Sequence, residues 1–239
     1  MRLDVYFTPL GPKDGDLAGR GVVVIDILRA TTTIVTALAN GAKAVVPAAT
    51  SEEAVRLTAN LEKDGFLLAG ERKSVRIEGF ALGNSPREMT PEAVAGKTVF
   101  LATTNGTPAL VASQGADPVL VGAAVNFSAL TERARAVFQD RTHLAIICAG
   151  RERQFALEDA YTAGRLVKAV KKGLKKVVLN DAAEVALALT AHYDDWGDAL
   201  ARCAAARQLA EADLADDIEF CATPDRFRTV PTYAERRIT

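Results

Sequence analysis

The sequence is short of the residues on which several familiar chemistries depend. Among 239 residues there are three cysteines, Cys148, Cys203 and Cys221, and no CxxC pair. An odd, sparse set of this kind excludes a disulfide framework and a cysteine-based zinc site, and it points to a reducing cytoplasm. The two histidines, His143 and His192, are too few for a zinc site or a Ser-His-Asp relay. No GxGxxG follows an apolar run, and no P-loop pattern occurs. Dinucleotides and nucleoside triphosphates are therefore disfavoured by their usual routes. Long hydrophobic runs are missing too. The most apolar stretch near the start, residues 21–27, contains Asp26 and is followed by Arg29, and it is far too short to cross a bilayer. Met1-Arg2-Leu3-Asp4-Val5 alternates like a strand and lacks the layout of a secretion signal. Charge of one sign is lacking as well: 29 Lys and Arg against 30 Asp and Glu leave a net charge of −1. That balance argues against a protein that wraps nucleic acid. It leaves room for a local cationic pocket that takes a small anion.

Apolar residues make up 49% and charged residues 25%, too apolar for disorder and too charged for a membrane bundle. Short β-branched runs alternate with helical patterns. Strands are predicted over 22–25, 44–46, 67–69, 98–102, 119–121, 144–147 and 177–179. The first helix is predicted over 31–39, ahead of Gly41. A second runs from a Thr50/Glu53 capping box to about Lys63, and a third from about Pro108. A fourth is capped by Ser128 and shows Leu130, Ala134, Val137 and Phe138 on its apolar face. Further helices are predicted over 157–172, 181–191 and 198–212. This alternation predicts an α/β fold with a largely parallel sheet, in a single domain over 1–239. Residues 181–213 form a candidate helical subdomain, and the tail 224–239 reads as irregular.

Position is the informative feature. In open α/β sheets ligands bind beyond the carboxyl ends of the strands. Asp26, Arg29 and the run Thr31-Thr32-Thr33 follow the 22–25 strand. Gly70-Glu71-Arg72 follows 67–69. Thr103-Thr104-Asn105-Gly106-Thr107 follows 98–102. Cys148-Ala149-Gly150-Arg151-Glu152 follows 144–147, with Glu158 and Asp159 close behind. Folded into one sheet, these four ends face one edge. Carboxylate oxygens favour Mg²⁺ over softer ions. Arginine forks, threonine hydroxyls and backbone N–H groups at helix starts hold phosphate.

Each feature also has a plainer explanation. Asp26 and the three threonines could simply cap a helix. Asn105-Gly106 is a strong turn signal. Glu158 and Asp159 sit at a helix start, where acids favour the dipole. Single arginines are usually surface charges. The lysine cluster 168–176 complements a helix end, the acids around Trp196 read as a solvated turn, and Cys148 reads as an inert core thiol. The joint pattern at four strand ends favours a site.

Residues 24–33 (VIDILRATTT), 70–72 (GER), 77–86 (IEGFALGNSP), 103–107 (TTNGT), 148–152 (CAGRE) and 157–159 (LED) resemble, in order, the blocks of the 2-phosphosulfolactate phosphatase (ComB-like) family. The resemblance runs over most of the chain. It implies a three-layer α/β/α fold with a largely parallel or mixed sheet. It also implies Mg²⁺-dependent hydrolysis of a phosphate monoester, namely 2-phosphosulfolactate to 3-sulfolactate plus phosphate, a step toward coenzyme M. Carried over by motif, the catalytic residues are Asp26, Arg29, Glu71 and Arg72. The metal ligands are Asp26, Glu71, Glu158 and Asp159. The substrate is held by Thr31, Thr32, Thr33, Asn84, Ser85, Thr103, Thr104, Asn105, Gly106, Thr107, Gly150 and Arg151. The partner expected is a small anionic phosphorylated substrate, with no nucleic acid and no membrane; a homo-oligomer is left open. Two departures stand out. Lys73-Ser74 replaces expected glycines, and Ala81 replaces an expected aspartate.

In this reading either water or Asp26 itself attacks phosphorus. Four alternatives are open. A different phosphorylated 2-hydroxy acid could be the substrate. A haloacid dehalogenase-type phosphatase would need a second aspartate where Leu28 stands. A non-catalytic binder of anionic metabolites would use the same pocket, whereas a scaffold would show no clustering of Asp26, Glu71, Arg72 and Asn105.

Overall fold

The computed structural model describes residues 1–13 and 15–239. In chain order the strands are β1 (Arg2–Tyr6), β2 (Gly21–Ile25), β3 (Ala44–Ala48), β4 (Phe66–Arg72), β5 (Val75–Arg76), β6 (Thr98–Ala102), β7 (Val119–Gly122), β8 (His143–Cys148), β9 (Val178–Leu179), β10 (Tyr233–Ala234) and β11 (Arg237–Ile238). The helices are α1 (Ala30–Ala39), α2 (Ser51–Thr58), α3 (Pro91–Val94), α4 (Gly106–Ala112), α5 (Phe127–Arg141), α6 (Leu157–Lys171), α7 (Asp181–Leu189), α8 (Trp196–Ala201), α9 (Ala204–Glu211) and α10 (Ala215–Ala222).

The strands form two sheets rather than one. The first is entirely parallel, in the order β7-β2-β8-β1-β9. The second runs β10-β11-β3-β6-β4-β5; its inner strands β3, β6 and β4 are parallel, and its outer strands antiparallel. The sheets are thus parallel and mixed, with helices on both sides, as in a three-layer α/β fold. Period-two alternation explains how β2 serves two cores. Val22 and Val24 pack with Ile34 and Val35 of α1, Leu110 of α4, and Val99 and Leu101 of the second sheet. Val23 and Ile25 face the other way, toward Leu130 and Phe138 of α5 and Leu166 and Val167 of α6. A strand buried on both faces reads as a continuous apolar run, which is why 22–25 was legible. Among the described residues no helix is long and apolar enough to cross a membrane.

Several elements differ from the sequence reading. The Thr50 hydroxyl accepts from Glu53 N at 3.1 Å as a cap, but α2 stops at Thr58 instead of running to Lys63. Only Ala54 and Thr58 of α2 are buried, so nothing apolar is gained by continuing. Ser128 is not a cap: its hydroxyl donates to Asp225 at 2.7 Å, and a 3₁₀ turn at Ala124–Asn126 leads into α5. Its apolar positions Leu130, Ala134, Val137 and Phe138 are all buried. The predicted 198–212 helix divides at Cys203, whose sulfur accepts from Ala206 N at 3.3 Å and starts α9. Within 181–213, α7 packs on α6 and β1, and α8 packs on α6 as well as on α9 and α10. The tail is not irregular throughout. β10 and β11 make a hairpin, and Ile238 pairs with Val45 of β3. A two-residue strand is too short to show a period, so the alternation signal had nothing to detect.

Ile238 is fully buried in the core between the sheets. Ile238→Ala should therefore cost roughly 2–5 kcal/mol, measured by denaturant unfolding. A loss near zero would contradict this placement of the tail.

Candidate active site

β2 leads into Asp26 and the turn through Arg29, whose Leu28–Arg29 peptide is cis. Beyond β8 come Gly150 and Arg151, and the first turn of α6 carries Glu158 and Asp159. The second sheet contributes Glu71 from β4, Lys73 and Ser74 from the β4–β5 turn, and Thr104 and Asn105 after β6. Together with Asn84, and with Gln208 of α9, these residues line one cleft of about 80 Å³. Pockets for drug-sized ligands measure roughly 300–1,000 Å³, so this one suits a small polar group. The carboxyl ends of both sheets therefore meet at a single cleft.

The hydrogen bonds divide the candidate residues into those that face the cleft and those that shape it. Asp26 Oδ1 accepts from Ala30 N, the first amide of α1, at 3.2 Å. No protein donor is found for Oδ2 among the described residues, which leaves it for a ligand. Glu71 joins two loops: Oε1 accepts from the Thr104 amide and hydroxyl, both at 3.2 Å, and Oε2 from Ser74 N at 2.8 Å. Asp159 braces the first sheet, accepting from Ile27 N at 2.9 Å and Gly150 N at 3.0 Å. Arg29 is buried and donates through Nη1 to Asp217 at 2.7 Å. Arg151 donates to Gln208 Oε1.

Other expected site residues stand behind the wall. The Thr31 hydroxyl exchanges hydrogen bonds with the Asp26 backbone, accepting at 3.0 Å and donating at 2.8 Å. Thr32 donates to Ile27 O and Thr33 to Asn84 O, each at 2.9 Å. The Thr31 and Thr32 hydroxyls hold the turn between β2 and α1, the Thr33 hydroxyl ties α1 to Asn84, and none of the three residues lines the cleft. Thr107 donates to Ala48 O at 3.0 Å, and Ser85 to Asp217 at 2.6 Å. Thr103 and Gly106 also lie outside the lining. Gly106 nonetheless matters for shape: a Cβ there would stand 2.6 Å from the Ala30 methyl and 3.1 Å from Asp26 Oδ2. Arg72 departs furthest. It follows Glu71 in a strand, so it points to the opposite face; it is 68% exposed, with Glu52 at 3.9 Å. Ala81 is exposed and outside the cleft.

Sequence reasoning missed Lys73 and Ser74 as lining residues, and also Gln208 and Asp217. The two cleft positions 73 and 74 registered only as departures from a family pattern. Gln208 and Asp217 sit in helices remote from any strand end, and no spacing signal marks them.

Electrostatics set the character of the cleft. Burial pushes the Asp26 carboxyl up to about 7, and the nearby Glu71 and Glu158 push the same way, against the Ala30 amide and Arg29. Burial likewise raises Glu158. Burial, then Asp26 and Glu158, hold Asp159 well above the usual carboxylate range despite its two amide donors. Clustered acids of this kind are relieved either by protons or by a cation. Among the described residues no three metal-ligating side chains converge on one point. Mg²⁺ asks for less, since it keeps several waters and takes one or two carboxylates plus substrate phosphate. Asp26 with Glu71 or Glu158 fits that requirement.

Carboxylates and arginines in one small cleft at the strand ends are the equipment of an enzyme acting on a phosphorylated anion. The comparisons agree. The family model for 2-phosphosulpholactate phosphatase matches residues 6–236. A protein of Caldanaerobacter subterraneus subsp. tengcongensis named "Probable 2-phosphosulfolactate phosphatase" is 42% identical over 97% of this chain and 95% of its own. Proteins of the same name from Symbiobacterium thermophilum and Clostridium acetobutylicum are 40% and 35% identical. They cover 95% and 100% of this chain, and 97% and 100% of their own. The class is that of an α/β phosphatase, a phosphoric monoester hydrolase. Within it, the chain belongs to the 2-phosphosulfolactate phosphatase family.

The raised carboxyl pKa values carry a stability consequence. An acid with a higher pKa in the folded than in the unfolded chain stabilises the fold fully below its unfolded value. That contribution is lost as pH rises to the folded value. For Asp26 the window runs from 3.8 to about 7. In EDTA the melting temperature should therefore decline from mildly acidic pH to pH 8, and Asp26→Asn should flatten part of that decline. Thermal melts of both proteins from pH 5 to 8 check this; an unchanged slope in the variant would contradict it.

Proposed function

We propose that this protein hydrolyses a small anionic phosphate monoester with Mg²⁺ in the cytoplasm. The reaction favoured is 2-phosphosulfolactate to 3-sulfolactate plus phosphate, the type of step that serves coenzyme M synthesis. The observation that carries the reading is the meeting of Asp26, Glu71 and Glu158 with Arg29 and Arg151 in one small cleft. Three buried, unpaired cysteines fit a reducing compartment.

Mg²⁺, when bound, polarises the phosphoryl oxygens and offsets charge on the leaving oxygen. Asp26, with Glu71 or Glu158, would hold it. Arg29 presents a guanidinium to the phosphoryl oxygens, and its fork suits spread anionic charge. Arg151, held by Gln208, faces the same cleft and is placed for a second anionic group of the substrate. Asp26 Oδ2 is the free carboxylate oxygen for attack on phosphorus or for activating water. Asp159 keeps the two loops around it in register.

A second reading, hydrolysis of another phosphorylated 2-hydroxy acid, draws support from Lys73. This residue lines the cleft where the family resemblance leads one to expect glycine. It adds a cation that a differently shaped or more anionic ester would use.

A screen of small phosphorylated acids, with p-nitrophenyl phosphate as a general probe, tests the proposal. Release of phosphate should require Mg²⁺ and stop in EDTA. Asp26→Ala should lower kcat by roughly a hundredfold or more while circular dichroism stays that of the folded protein. Near-normal turnover in the variant would remove Asp26 from the chemistry, and EDTA-insensitive activity would remove the metal.

A further inference from the structure

The buried ion pair beside the cleft involves a residue with no place in the motif blocks. We infer that Asp217 is a positioning residue for phosphate capture, acting through Arg29 and through the Asn84–Ser85 turn. The inference rests on the phosphatase reading of the cleft.

Asp217 belongs to α10 and does not line the cleft. Its two oxygens are divided between two wall elements. Oδ2 accepts from Arg29 Nη1 at 2.7 Å, and Oδ1 accepts from the Ser85 hydroxyl at 2.6 Å. Both partners are buried, Arg29 at 4% exposure and Asp217 at 1%. A charged pair removed from water is a poor source of net stability, but it fixes geometry when every bond is well formed. Here one edge of the Arg29 guanidinium is tied down. Among the described residues Nη2 has only a long 3.4 Å hydrogen bond, to Ser74 O, so the remaining N–H groups are left for a ligand's oxygens.

The second oxygen sets the other wall. Ser85 follows Asn84, a cleft-lining residue whose buried Oδ1 has no protein partner among the described residues. An unpartnered buried acceptor at a cleft is a group waiting for a ligand or a water. The neighbouring Asp216 grips the same turn from outside, through Arg87 at 2.8 Å. α10 therefore holds the Ser85–Arg87 turn by two consecutive acids, and one of them also aims Arg29.

The test is a double-mutant cycle on the full chain, with Mg²⁺ and p-nitrophenyl phosphate. KM, kcat and the competitive inhibition constant of inorganic phosphate are read alongside thermal melts. Asp217→Ala should raise KM and the phosphate inhibition constant together, by about tenfold or more, with a smaller fall in kcat. Arg29→Lys should do the same. The double variant should be no worse in either constant than Arg29→Lys within about twofold, because the two residues act as one unit. Ser85→Ala should move both constants in the same direction by about two- to fivefold. Wild-type constants in folded Asp217→Ala would overturn the inference, as would effects that multiply in the double variant. If Asp217→Ala does not accumulate as folded protein, Ser85→Ala decides, and unchanged constants there overturn it. A wild-type protein that neither hydrolyses the ester nor is inhibited by phosphate would instead overturn the phosphatase reading, and this inference with it.

Discussion

Several carboxyl groups line one cleft where the two sheets meet. Asp26, Glu158 and Asp159 are each nearly inaccessible to solvent, and Glu71 approaches from the other sheet. Like charges out of water repel, and burial penalises each of them separately. The rest of the cleft can be understood as the set of contacts that make this tolerable. Amides of Ala30, Ile27 and Gly150 point at carboxylate oxygens. The buried Arg29 and the partly exposed Arg151 bring guanidinium groups to the same cleft. The remaining repulsion among the carboxylates is relieved by protons or by a cation.

Holding that cluster in place takes material from both sheets. Asp159 ties the loops after β2 and β8, while Glu71 ties those after β4 and β6. Thr31 and Thr32 donate their hydroxyls to the Asp26 and Ile27 carbonyls and Thr33 donates to Asn84 O, which fixes the turn between β2 and α1 and ties it to Asn84. Gly106 lets the start of α4 press against Asp26 and Ala30, where any side chain would collide. The C-terminal helices complete the site: α9 contributes Gln208 to the lining, and Asp217 of α10 holds Arg29 from behind it.

Much of the fold was legible in the sequence. β2 was visible because all five of its residues are buried, which leaves an unbroken apolar run. α6 was visible because it is long and amphipathic, and it ends within one residue of the expected position. Asp26, Glu71, Asn105 and Arg151 were singled out by where they stand, just past strand ends, and the structure brings them to one cleft. Arg72 lies outside the cleft lining because neighbouring strand residues face opposite ways, which residue type by itself does not show. The threonines at 31–33 were singled out for their hydroxyls, but a hydroxyl within reach of a turn carbonyl bonds to it first.

By itself the sequence determined the element types, the family and the residues that end each major strand, because these depend on local pattern and on motifs contiguous in the chain. The tertiary structure alone decided that four strand ends belong to two sheets and still share one cleft. It also decided that Arg29 is anchored by a residue 188 positions away, and that the chain's last strand seals the edge beside Val45. The physical reason is the same in each case. Local propensity is written in neighbours, whereas a buried charge is satisfied by whichever partner the packing brings within hydrogen-bond reach, and sequence distance does not enter that condition.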